Sequence, residues 1–129
     1  MKRGLVIGKF MPIHTGHMAL IEFACQYCDE VVVSMSYTPT DPIDPDQRFD
    51  WIKSLFRHNP KVKPALVLDD FDDESLPLRA RTEKWATFIR NTYEPIDMVF
   101  SSEDYGEPFA AHLGAAHIAF DKSREKFSV

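Results

Sequence analysis

Cysteine is scarce in this chain of 129 residues, which has two, Cys25 and Cys28. Their C-x-x-C spacing falls near the C-terminal end of the first expected helix, whereas a redox pair places its first cysteine at a helix N-terminus. With no second cysteine pair, a zinc site would have to recruit His14 and His17, roughly two to three helical turns away. Both cysteines are therefore read as buried or half-buried thiols. Long apolar runs are also missing, which excludes a helix that spans a bilayer. The apolar stretch after Met1-Lys2-Arg3 stops at Lys9, Pro12 and His14, too early for a secretory signal, so a cytoplasmic location is expected. Positive charge is in short supply: 15 Lys and Arg stand against 20 Asp and Glu, a net charge of −5. That balance argues against generic binding to nucleic acid or anionic membrane, so an anionic ligand must be held by a local cluster. The length fits one domain, 1–129, able to bury a core without staples.

The residues that are present organise around the opening stretch. Leu5, Val6 and Ile7 form a short apolar run, the pattern of a strand buried on both faces. Gly8 through Thr15 break that run with Gly, Pro and polar residues. From Gly16 onward Met18, Leu20, Ile21, Phe23, Ala24 and Cys28 recur at helical spacing. Strand, loop and helix make the first half of a βαβ unit, with unpaired N–H groups and a positive dipole end facing the loop. His14 and His17, three residues apart, can face one spot around the first turn. Gly16, without a Cβ, lets a ligand phosphate or a neighbouring strand approach the backbone. With Lys9 nearby, these residues describe a phosphate site.

Gly8-Lys9-Phe10-Met11-Pro12-Ile13-His14-Thr15-Gly16-His17 resembles the G-K-F-x-P-x-H-x-G-H signature of the nucleotidylyltransferase superfamily. The lysine after Gly8 is similar to that of the NadR-type nicotinamide-mononucleotide adenylyltransferases.

Beyond it, Glu30 to Ser36 reads as a second buried strand, followed by a proline-punctuated loop, Tyr37 to Pro45. Asp46 or Asp44 can cap the next helix, with Pro45 near its first turn. Phe49, Trp51, Ile52, Leu55 and Phe56 form its expected apolar side. Arg48 sits in the first turn, where a cation opposes the dipole, so it either serves a bound anion or stands in solvent. Pro64 to Leu68 reads as a third strand, shorter than the first two. The five carboxylates of Asp69-Asp70-Phe71-Asp72-Asp73-Glu74 are read as solvated surface, with a hard-cation site as the alternative. Arg79 to Arg90 is a third helix whose expected buried stripe is Trp85, Phe88, Ile89 and Thr92. Ile96 to Phe100 is a fourth strand, Pro108 to Leu113 a short helix ending at Gly114, and Ala115 to Phe120 a fifth strand. Ser101, Ser102 and Glu103 close the fourth strand with groups suited to a nucleoside, hydroxyls for the base edge and a carboxylate for ribose. Alternating strands and helices predict an α/β fold, a doubly wound parallel five-stranded sheet.

The resemblance implies the Rossmann-like nucleotidylyltransferase fold with strand order 3-2-1-4-5, its ligands outside the carboxyl ends of strands at the switch point where strands one and four meet. It implies that Gly8, Phe10 and Gly16 line the substrate, that Arg48 contacts phosphate, and that Trp85 lies against the nicotinamide ring. Ser-Ser-Glu at positions 101–103 resembles the NadR-like group closely, and the likeness continues through Asp121 and Arg124. A second family signature, S-x-T-x-x-R, would begin near Ser128. Only Ser128 and Val129 stand there, so the chain is expected to be cut short or to be part of a longer protein, for example one with a kinase domain beyond.

The implied function is transfer of AMP from ATP to nicotinamide mononucleotide, giving NAD and pyrophosphate. His14, His17, Lys9 and Arg48 would be the catalytic groups, and protonated imidazoles would meet the triphosphate. No dedicated metal ligands are expected; Mg²⁺ would ride on the ATP phosphates. Expected partners are these small molecules alone, with neither nucleic acid nor membrane and with a homo-oligomer left open. Alternatives are a pantetheine-phosphate adenylyltransferase or a cytidylyltransferase of the same fold, or a non-catalytic nucleotide-binding regulatory module.

Overall fold

The computed structural model describes residues 1–120. The elements are β1 (Arg3–Gly8), α1 (Thr15–Cys25), β2 (Glu30–Tyr37), α2 (Pro45–Leu55), β3 (Val62–Leu68), α3 (Leu78–Thr92), β4 (Met98–Ser101), α4 (Gly106–Leu113) and β5 (Ala116–Ala119). The strands form one sheet in the order β3-β2-β1-β4-β5, the order expected. The pairs β1–β2, β2–β3 and β4–β5 all run parallel. The chain divides into two compact units, Met1–Asp70 and Phe71 onward.

In the first unit, Leu5 and Val6 of β1 and Val31, Val33 and Met35 of β2 are almost wholly buried, as continuous apolar runs in a parallel sheet should be. α1 buries Leu20, Ile21 and Ala24. Each large side chain so buried contributes about 1.5–3 kcal/mol. The helix ends at Cys25, so Cys28 lies beyond it and the C-x-x-C straddles the helix end. Cys28 is buried and Cys25 half-buried, as expected, and burial pushes the Cys25 thiol up.

α2 is capped by Asp44, whose Oδ1 accepts from the Asp46 N–H at 3.0 Å, with Pro45 in the first turn. Its buried face differs from the expected one. Trp51 and Leu55 are exposed, and Arg48, Ile52 and Phe56 line up at i, i+4 and i+8 instead. An arginine on the inner stripe rotates the whole helix relative to an apolar-only pattern. β3 is also longer than expected, seven residues against six for β1. Lys63 and Pro64 interrupt its apolar pattern, and an edge strand tolerates such a proline.

In the second unit, α3 buries Thr82, Ala86 and Ile89 at helical spacing, while Trp85 and Phe88 are half-buried and Thr92 is exposed. The Thr82 hydroxyl satisfies itself on Leu78 O at 2.9 Å, which lets a polar residue take a core position. α3 packs on α4, and α4 on β4 and β5. Gly114 ends α4 with φ of 71°, a left-handed turn that glycine adopts without strain. Gly106 starts it for a steric reason: a Cβ there would overlap Ser101 Oγ and His117 Nε2.

Candidate functional site

The histidines of the opening loop are built into the start of α1. His14 is the N-cap, in extended conformation. Its Nδ1 accepts from the Gly16 N–H at 3.1 Å, and the His17 Nδ1 accepts from the His14 N–H at 3.2 Å. The pair thus performs the reciprocal capping usually done by Ser or Thr with Glu. The rings stack with centroids 3.7 Å apart and 28° between their planes. With each Nδ1 taken up by the capping, a ligand contact of either ring would run through Nε2.

Phe10 supports this arrangement from below. Its backbone takes φ of 48°, rare for a non-glycine residue, and its ring is buried edge-on to His17 at 4.9 Å. The ring also lies under Gly8, where a Cβ would come 3.1 Å from Phe10 Cζ. Gly8 and Phe10 therefore shape the loop from within.

Arg48 is fully buried, so the solvent alternative is excluded. Its Nη2 pairs with Asp41 Oδ2 at 2.6 Å, its Nη1 donates to Lys9 O at 2.7 Å and its Nε to Ile43 O at 3.0 Å. Asp41 also accepts from the Thr38 N–H and hydroxyl. Burial alone would raise the Asp41 carboxyl, but the Thr38 groups and the guanidinium outweigh it and hold it below the usual carboxylate range. The guanidinium thus ties the loop after β1 to the loop after β2. Lys9 itself leaves its side chain about half exposed, with Nζ 3.7 Å from Asp69 Oδ2.

The acidic run is not uniformly solvated surface. The side chains of Asp69 and Asp72 are each 11% exposed. Asp72 accepts from Arg81 Nε and Nη2, both at 2.8 Å, and from Trp85 Nε1 at 2.7 Å. The Arg81 bonds lead in holding its carboxyl below the usual range. Trp85 is further fixed by Arg81 over its ring at 5.2 Å and by T-shaped contacts with Tyr105 and Phe109. Among the described residues no group of three or more His, Cys, Asp or Glu is placed to hold a metal.

Ser101 is 1% exposed, its Oγ 3.0 Å from His117 Nε2. Ser102 is half-buried and Glu103 exposed. The loop after β4 thus holds one inward hydroxyl beside two more accessible polar groups. Burial pushes the neighbouring Tyr105 phenol up to about 12. Arg124 lies outside the described residues. Asp41, Asp69 and Asp72 were missed as site supports because acidic residues in loops carry no pattern that separates a buried partner from a solvated one.

The chain belongs to the cytidylyltransferase-like family, whose model matches residues 5–73. That match spans β1 to β3, with the histidine loop and the Arg48 tie inside it. Among similar proteins is the trifunctional NAD biosynthesis/regulator protein NadR of Escherichia coli, 27% identical, the match covering 98% of this chain and 34% of NadR. The nicotinamide-nucleotide adenylyltransferase of Pyrococcus furiosus is 35% identical, with 78% of this chain and 54% of that protein covered. The chain therefore spans about a third to a half of the length of these relatives. Among solved structures, NadR in complex with NR superposes with a TM-score of 0.65 at 18% identity, covering 98% of this chain and 39% of the other. A bifunctional NMN adenylyltransferase/ADP ribose pyrophosphatase from Francisella tularensis gives 0.68 at 19%, covering 93% and 38%. At such identities the likeness is one of fold. Among the described residues no helix is long and apolar enough to cross a membrane.

Proposed function

We propose that this chain carries nicotinamide-nucleotide adenylyltransferase activity, joining ATP and nicotinamide mononucleotide into NAD with release of pyrophosphate. The reading is carried by the cap of α1, where two stacked imidazoles meet at a helix N-terminus in the same loop as Lys9. The names of the relatives supply the acceptor.

A phosphate oxygen of nicotinamide mononucleotide attacks the α-phosphorus of ATP; the α–β anhydride bond breaks and pyrophosphate leaves. The attacking monoester is already a dianion near neutral pH, so no general base is required. The chain's work is positioning and stabilisation of charge on the phosphoryl oxygens. The Nε2–H groups of His14 and His17 donate to those oxygens, and Lys9 adds a mobile positive charge. Arg48, committed to Asp41 and two carbonyls, holds the loop that carries Lys9. Mg²⁺ bound to the triphosphate would neutralise part of its charge, held mainly by phosphate and water. Trp85 offers an indole face to the pyridinium ring, and Ser102 and Glu103 offer polar groups to the nucleoside.

The test is pyrophosphate release from ATP with nicotinamide mononucleotide, pantetheine phosphate or no acceptor, and from CTP. Release that depends on nicotinamide mononucleotide is expected, with a loss of about a hundredfold in His17→Ala. Release with another acceptor only, near-native turnover in His17→Ala, or nucleotide binding with no release overturns the reading.

A further inference from the structure

Asp69 has no role in the reaction as described, yet it is nearly buried and stands next to the Lys9 ammonium. Its backbone N–H donates to Tyr37 O at 2.8 Å, which fixes it to the end of β2. Its Oδ2 lies 3.7 Å from Lys9 Nζ, and its Oδ1 is buried with no hydrogen-bond partner among the described residues. At 3.7 Å the ammonium is held by charge rather than by a formed hydrogen bond. The Lys9 backbone, by contrast, is locked by the buried Arg48 through its carbonyl at 2.7 Å. A fixed backbone, a flexible four-carbon stem and a loosely engaged charge describe a side chain with two stations.

The geometry points to Asp69 as a positioning residue that holds Lys9 in the ligand-free state and competes for its ammonium with an anionic phosphate ligand at the α1 cap. The inference rests on the reading of that cap as a phosphate site and adds to it a counter-charge that sets phosphate affinity through Lys9. Ligand binding transfers the ammonium from carboxylate to phosphate. The carboxylate, already lacking one partner, opposes that transfer, which keeps the product pyrophosphate from being held too tightly.

The test is calorimetry of inorganic pyrophosphate, without divalent ions so that Asp69 cannot act as a metal ligand. It uses the wild type, Asp69→Asn, Lys9→Met and the double variant. Asp69→Asn should tighten binding by about fivefold, the scale of one partly exposed ion pair, and this gain should vanish when Lys9 is Met. An equal gain in both backgrounds would reveal only the removal of a nearby negative charge and would overturn the inference while leaving the phosphate site standing. Weaker binding in Asp69→Asn overturns it too. Absence of pyrophosphate binding in the wild type overturns the site and the inference together. Should Asp69→Asn not fold, the carboxylate carbon resonance of Asp69 in the wild type gives the same decision. It should shift on addition of pyrophosphate and stay still in Lys9→Met, and a stationary wild-type signal overturns the inference.

Discussion

Each of the two units contains an arginine–aspartate pair, and they are used in opposite ways. In the first, Arg48 and Asp41 are 0% and 6% exposed, and every bond of the guanidinium ends on a loop. In the second, Arg81 is 27% exposed and its fork closes on Asp72, which also takes the Trp85 indole N–H. The first pair fixes backbone; the second fixes a ring. A buried charge is tolerable only when its partners are complete, so the Arg48 tie is an all-or-nothing element. The Arg81 pair keeps contact with water and so tolerates loss of a member.

The sharpest break of this contrast is removal of Arg48. Arg48→Met leaves the Asp41 carboxylate in the interior without its cation and leaves two carbonyls unmatched. A loss of about 3–5 kcal/mol is expected in urea unfolding, with Asp41→Asn recovering part of it in the double variant. A loss below about 1 kcal/mol would mean that the loops hold their shape without the tie.

A middle-sized effect separates the glycines. At Gly106 an alanine Cβ would overlap a hydroxyl and an imidazole that already bond each other, whereas at Gly8 it would only press on a Phe10 ring edge. Gly106→Ala should cost about 1–3 kcal/mol by thermal unfolding, and Gly8→Ala less. Equal costs would show that the Ser101–His117 pair can move aside as easily as the Phe10 ring.

Much of this organisation was legible in the residues. Leu5 to Ile7, the valines of β2 and the G-K-F-x-P-x-H-x-G-H loop announced a βαβ opening because buried parallel strands and glycine-bearing strand-to-helix loops have few sequence solutions. Asp44 and Pro45 announced the start of α2 through capping chemistry. What stayed hidden was decided by partners distant in sequence. Arg48 looked out of place in a first turn because its carboxylate lies seven residues earlier, in a proline-rich loop. Asp72 looked solvated because Arg81 and Trp85 reach it from the next helix. The histidine cap was hidden for another reason: histidine is an unusual N-cap, so its spacing suggested ligand contact before it suggested helix initiation.

The smallest effect tests the second pair. Asp72→Asn removes the charge that Arg81 grips while keeping an acceptor for the Trp85 N–H. A cost of about 1–2 kcal/mol is expected, given the partial exposure of Arg81. The same carboxylate gives a signature in pH. Its value lies below that of an unfolded aspartate, about 3.9, so its contribution is complete above that pH and is lost as pH falls through the folded value. The stability of the wild type should therefore hold from pH 7 to about 5 and decline below about 4, with a shallower decline in Asp72→Asn. Asp41, lowered in the same direction, and Asp73, held down by its Ser75 bonds, contribute to the slope that remains. If Asp72→Asn declines as steeply as the wild type while Asp41→Asn is flat, the acid response belongs to the buried pair alone, and the pair beside Trp85 serves to orient the ring rather than to stabilise the unit.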